Sequence, residues 1–205
     1  MGDSKTVLVK QVPVVNAVPA TCFIYCCLCF GFAASLLGLV GEGAALAVGV
    51  LQLGVFVGYM VGALLIMKSG AGVGGNTFFL FAAIFSGAGG MLTVCGYIFI
   101  HMGIPFSTSL GSLINVVSGL VLWVLVYANR VSSKTDFFII FFSAIGVTAC
   151  GIGGFAAGGL LNPIAGVSLG IAGIFALYGS SIGFLEMSGV KVNYGKPWVA
   201  EKEQI

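Results

Sequence analysis

The chain has 205 residues, of which 59% are hydrophobic and 7% charged, with a formal net charge of +2 and a mean hydropathy of +1.16. A soluble domain carries roughly a quarter charged residues, so this chain cannot clothe a water-facing surface and reads as an integral membrane protein. The positive balance is too small and too scattered to serve nucleic acid, and no separate soluble domain can be cut from the sequence.

In chain order, residues 1–16 are polar and then mildly apolar. They lack the basic start, short apolar core and small-residue cleavage site of a secretory leader, so the first hydrophobic span is expected to act as its own insertion signal. Gly2 and Thr6 match a myristoylation pattern only weakly, and a polytopic protein needs no lipid anchor. A bilayer core of about 30 Å takes roughly 20 apolar residues as helix. Six stretches qualify, at 17–40, 44–67, 76–101, 108–129, 136–158 and 165–187. Short connections make neighbours antiparallel. The expectation is an all-α bundle of six transmembrane helices over 17–187, between a cytoplasmic N-terminal segment (1–16) and a cytoplasmic tail (188–205), as a multi-pass protein of the cell membrane.

The charges give the orientation. Lys5 and Lys10 precede the first span, Lys68 separates the second from the third, Arg130 and Lys134 separate the fourth from the fifth, and Lys191, Lys196 and Lys202 follow the sixth. All the cations fall on one side, which the positive-inside rule assigns to the cytoplasm. The spans are crowded with glycine, 33 in all. Many sit at small-xxx-small spacing, such as Gly166 with Gly170 and Gly179 with Gly183, which lets helices approach closely in lipid.

No Lys, Arg, Asp or Glu lies in the middle third of a span, where a charge costs at least roughly 2.5–3.5 kcal/mol and usually marks function. That absence argues against a buried carboxylate relay, a voltage sensor or a multivalent-anion site. A passage here would use hydroxyls, amides and helix ends. Glu186 and His101, near the two ends of the spans, read first as interfacial anchors; the alternative is a proton-linked gate, since histidine titrates near neutral pH. In "CFIYCCLC", Cys22, Cys26 and Cys29 share one helical face. Three thiolates suit a soft metal such as Cu(I), but no His or Met stands beside them and small apolar filling is the favoured role. No metal, cofactor or enzymatic centre is expected, because no acid–base pair, nucleophile–histidine arrangement or metal set is present.

The third span opens with "GGNTFFLFAAIFSGAGG", residues 74–90. Asn76 reads as an N-cap, its side chain accepting from a free backbone N–H. A helix N-terminus also carries free donors and partial positive charge and attracts anions without a cationic side chain, as transporters exploit. A small carboxylate would be met at Asn76 and Thr77 and pass along the strip of Ala83, Ser86 and Gly90.

These residues carry a resemblance. "GNTF" (75–78, with Phe78) opening a span, followed by Ser86-Gly87, resembles the third helix of the acetate uptake transporter family, which includes the bacterial succinate–acetate permeases. The family's N-P-x-P-x-G-L motif is matched by "NAVPATC" at Asn16 and Pro19, with Ala17 and Thr21 as departures. Its aromatic run ending in serine is matched by "FFIIFFSAIG" with Ser143, and its alanine–tyrosine pair by "GIFALYGSS" with Ala176 and Tyr178. Pro197 fits a late proline in a short basic tail. The family's glutamine before the third helix is not recovered in register, since Gln52 lies too far upstream. The resemblance implies a six-helix protomer assembling into a homo-hexamer, each protomer with its own passage for acetate or a similar small monocarboxylate. The family narrows that passage with large apolar residues of the first, third and fifth helices, which fall in register on Tyr25, Ser86 and Ala144. All three lie eight to ten residues into their spans, roughly 12–15 Å deep at about 1.5 Å per residue, so they can form one ring. With serine and alanine at two positions, a wider passage, a different gating level or another substrate is expected. Passive and proton-coupled movement are both compatible with the sequence, and so is the alternative of a channel for a small neutral solute or ammonia. A scaffold whose glycines serve only assembly is the third reading.

Overall fold

A computed structural model describes residues 16–155, 160–192 and 195–198. Six helices in it are long and apolar enough to cross a membrane: α1 Val18–Leu36, α2 Ala44–Lys68, α3 Gly72–His101, α4 Ser109–Val131, α5 Lys134–Phe155 and α6 Asn162–Met187. The described residues contain no strand. The all-α fold with six spans therefore stands as expected. The expected end of the fifth span, at 158, falls outside the described residues, as do Lys5, Lys10 and Lys202.

Local sequence explains the helix starts. Asn16 Oδ1 accepts the Val18 N–H at 3.1 Å, and Pro19 stands in the first turn of α1, where its missing N–H costs nothing. Pro163 repeats the device on α6. Ser133 caps α5: its hydroxyl accepts the Asp136 N–H at 3.1 Å and donates to Asp136 Oδ2 at 2.8 Å. The hydrophobic patterning within the helices is nearly uniform, as it is when both lipid and protein neighbours are apolar.

The main contacts run α3–α2–α1–α6–α5–α4. Close crossings depend on absent side chains. A methyl on Gly75 would stand 2.7 Å from the Met67 backbone nitrogen, and one on Gly151 would stand 2.6 Å from that of Val116. These crossings pull α2 onto α3 and α4 onto α5. The two ends of the series, α3 and α4, touch little. A lateral groove of about 380 Å³ separates them, lined by Thr77, Leu80, Ile84, Val117, Val121 and their neighbours.

Two features of α3 depart from expectation. It begins at Gly72, four residues before the expected start, and Gly74 and Gly75 continue the helix, with Gly75 where α2 passes too close for a larger residue. Its middle, Phe81–Ala88, is a π-helix, a wider turn that often marks functional positions. Gln52 of α2, 2% exposed, donates from Nε2 to the Phe85 carbonyl within that segment.

Candidate functional site

We call the end of the bundle where α1, α3 and α5 begin the basic end, since Lys68, Arg130, Lys134, Lys191 and Lys196 lie at helix ends or connections there. A mouth at this end is lined by Asn16, Val18, Pro19, Ser133 and Asp136. Beyond it is a first cavity of about 190 Å³. Its wall includes Cys22 and Tyr25 from α1, Thr77, Phe78 and Phe81 from α3, Asn129 from α4, and Asp136 with Ile140 from α5. Further along the helices is a second cavity of about 70 Å³. All six helices line it, through Cys29, Tyr59, Phe85, Asn115, Val147 and Leu169 among others. Its volume is that of roughly two waters, a scale suited to a two-carbon solute.

Tyr25 and Phe81 belong to both walls, so they stand between the cavities. Their ring centroids are 4.9 Å apart, and Phe85 backs Phe81 at 5.3 Å. Aromatic rings at that spacing are in contact, so the pair closes the way. The Tyr25 hydroxyl hydrogen-bonds to Ser143 Oγ, and Ser143 donates its own proton to the Ile139 carbonyl. With that proton committed, Tyr25 O–H is the donor to Ser143, and the phenol is fixed from α5.

The polar inventory differs on the two sides. In the first cavity, Thr77 Oγ1 donates to the Val73 carbonyl and Asn129 Nδ2 to the Leu125 carbonyl, each at 2.8 Å. This leaves the hydroxyl oxygen of Thr77 as an acceptor, while Asn129 Oδ1 accepts the Ser132 hydroxyl at 3.4 Å. The wall of the second cavity is mostly apolar, with Asn115, Tyr59 and Tyr25 as its amide and hydroxyl groups. The Tyr59 hydroxyl is fully buried and has no hydrogen-bond partner among the described residues. In a low-dielectric interior an unpaired hydroxyl is a costly group that a polar solute would satisfy.

The site residues read from the sequence are only partly brought together. Asn16 and Pro19 meet at the mouth, Thr77 and Phe78 line the first cavity, and Tyr25 with Ser143 forms the constriction. Asn76 is exposed and lies inside α3, one turn past its start. There Nδ2 donates to the Gly72 carbonyl at 2.8 Å, so it is not the N-cap. Ser86 and Ala144 are fully buried but line neither cavity. The early start of α3 moves the residue at Tyr25's depth back by more than a turn, and Phe81 takes the ring position assigned to Ser86. The constriction is therefore aromatic rather than wide. Tyr178 is 48% exposed on the outer face of α6, away from both cavities.

His101 stacks on Tyr97 at 4.0 Å, exposed, and Glu186 is exposed at the end of α6; neither lines a cavity. Cys22 and Cys29 each help line one cavity. Among the described residues no group of three His, Cys, Asp or Glu side chains is placed to hold a metal. Sequence reasoning missed Phe81, Tyr59, Asn115 and Asp136. Only Asp136 had a local signal, the serine three residues before it in "SSKTD".

No protein-family model matches the chain, and no curated protein matches it. Among solved structures it is similar to that of the bacterial acetate channel SatP, with a TM-score of 0.68 and 17% sequence identity. The match covers 87% of this chain and 97% of that one. The two proteins share a fold over nearly their whole lengths.

Proposed function

We propose that this chain belongs to the acetate uptake transporter family and carries acetate, or a similar small monocarboxylate, through the passage within each protomer. The observation that carries this reading is the pair of cavities inside the bundle whose walls share Tyr25 and Phe81. The likeness in fold to an acetate channel and the residues quoted above support it. The solute enters the first cavity among hydroxyl and amide acceptors, as a hydrated or protonated acid. It passes when Phe81 or Tyr25 turns aside, and then meets the Tyr59 hydroxyl and Asn115. Asn76 and Tyr178 are assigned no direct contact in this route. The assembly is a homo-hexamer in the cell membrane, with both termini cytoplasmic and the basic end facing the cytoplasm.

Uptake of radiolabelled acetate by the purified protein in liposomes tests the reading, with and without a pH gradient to tell passive from proton-coupled movement. Saturable uptake that other small carboxylates inhibit is expected. Flux indifferent to carboxylates would favour a channel for a neutral solute or ammonia.

A further inference from the structure

Phe81 of the constriction is the first residue of the π-helix in α3, and Phe85, which backs it, lies inside the same segment. A wide helical turn of this kind is rare and has a local cause. One such cause is a side chain inserted into the helical ladder, and Gln52 of α2 is placed to be it. Gln52 is buried, and its Nε2 donates to the Phe85 carbonyl. Two glycines let it in. A methyl on Gly89 would stand 3.0 Å from Gln52 Nε2 and 3.1 Å from the Ile84 carbonyl oxygen, and one on Gly90 would stand 3.0 Å from Gln52 Cβ. Gly87 is seated on α2 in the same way, since a methyl there would stand 3.1 Å from Phe56 Cε2. The far end of the π-helix is thus packed onto α2, while its first residue faces the passage. Two buried oxygens at this contact, Gln52 Oε1 and Ser86 Oγ, have no hydrogen-bond partner among the described residues. Unpaired buried oxygens oppose the arrangement, and the bond from Nε2 acts against that cost.

We infer that Gln52 is a positioning residue of the constriction: its amide holds α3 in the π arrangement that sets the Phe81 ring against Tyr25. This rests on the transport reading above and adds to it how the constriction is held and released. A π-helix bonds i→i+5 where an α-helix bonds i→i+4, so its turn accommodates one residue more. When the Nε2 bond lets go and the segment returns to α bonding, the residues before it turn against those after it. The turn is about one residue step, roughly 100°. The end at Gly89 and Gly90 stays packed on α2, so the turn falls on Phe81 and carries its ring away from Tyr25, 4.9 Å off between centroids. Gln52 lines neither cavity, so it meets no solute and acts through Phe81.

The test combines initial rates of acetate uptake by the full chain in liposomes with hydrogen–deuterium exchange of the backbone amides of residues 81–88. Gln52→Met keeps the length of the side chain and loses the donor. It is expected to raise exchange across 81–88, with α5 and α6 unchanged as the internal control. Uptake should quicken by up to about ten-fold, the span of one hydrogen bond. Gly89→Ala presses a methyl onto Nε2, should move both readouts in the same direction, and stands alone should Gln52→Met fail to fold. A loosened bundle would raise the rate in any background, whereas a residue acting through Phe81 needs that ring. In the double variant, Gln52→Met is therefore expected to change the rate of Phe81→Ala by less than about two-fold. Unchanged exchange across 81–88 in both single variants overturns the inference. Raised exchange with an unchanged uptake rate does the same, and so does an undiminished effect of Gln52→Met in the Phe81→Ala background. Absence of acetate uptake in the wild type, with exchange rising in Gln52→Met, instead removes the transport reading and leaves Gln52 as the lock on the π-helix.

Discussion

Replacing Phe81 by alanine tests the constriction directly. In the closed state the Phe81 ring contacts Tyr25 at 4.9 Å and Phe85 at 5.3 Å. Aromatic pairs of this kind contribute about 0.5–1.5 kcal/mol each beyond area burial. Swinging Phe81 out of both contacts therefore costs about 1–3 kcal/mol, so the closed arrangement is favoured by roughly 5- to 150-fold. Phe81→Ala removes that barrier and joins the two cavities. Truncating a packed phenylalanine costs about 3–5 kcal/mol of stability; here the ring already borders a cavity on two sides, which places the cost at the low end. The assay is the initial rate of acetate uptake in liposomes, with size-exclusion profiles to show that the variant is folded. The expected result is a rate increase within that range, together with entry of bulkier monocarboxylates such as butyrate. A folded variant whose acetate rate and size limit are unchanged would refute the assignment of Tyr25 and Phe81 as the limiting point.

Four further outcomes follow from the same geometry. Tyr59→Phe deletes a buried hydroxyl that has no described partner, so thermal stability should hold or rise slightly, while the KM for acetate rises in uptake assays. Tyr25→Phe removes the hydrogen bond to Ser143, worth about 0.5–1.5 kcal/mol, frees the ring and should speed uptake by up to about ten-fold, with Ser143→Ala giving the same change. Asn76→Ala should leave the acetate rate within about two-fold of wild type, since its side chain is exposed and donates to the Gly72 carbonyl of its own helix and alanine is the better helix former; Thr77→Val, which removes a hydroxyl from the cavity wall, should lower it. Gly151→Ala places a methyl 2.6 Å from the Val116 backbone nitrogen and should lower stability by about 1–3 kcal/mol, read as a fall in the unfolding temperature in detergent.

The six spans were legible because length and apolarity suffice to define a membrane helix, and five short breaks left no freedom in the count. The beginning of α1 was read to within a residue, at a proline in the first turn and an Asn16 side chain that closes on the backbone, whereas α6 begins at Asn162, three residues before the expected 165, with Pro163 in its first turn. The start of α3 was missed. Gly74 and Gly75 look like a break in a one-dimensional reading, and only the approach of the Met67 backbone marks Gly75 as a packing position within the helix. That error propagated. The register of the family resemblance put Ser86 at the ring, and counting from Asn76 agreed with it in depth, whereas counting from Gly72 puts Phe81 at the depth of Tyr25. The Phe81–Ala88 π-helix has no sequence signature of its own, since its partner, Gln52, is 33 residues away from the Phe85 carbonyl it meets. Tyr59 and Asn115 were invisible for a related reason. Each is one of a few polar residues in a long apolar span, with Gln52 beside Tyr59 in α2 and Ser112 and Ser118 beside Asn115 in α4, and which face looks inward is decided by helix packing. Asp136 was overlooked because it lies at a helix start, where a carboxylate reads as a cap; the structure makes it a cap and a cavity wall at once.

The central claim is that a small carboxylate crosses the bundle between the two cavities. Initial rates of radiolabelled acetate uptake into liposomes, comparing wild type with Phe81→Ala and with empty vesicles, test it most directly. Saturable uptake by the wild type, suppressed by propionate, and a faster rate in the variant are the expected results. Uptake no greater than that of empty vesicles in both proteins, each shown to be folded and inserted, would contradict it.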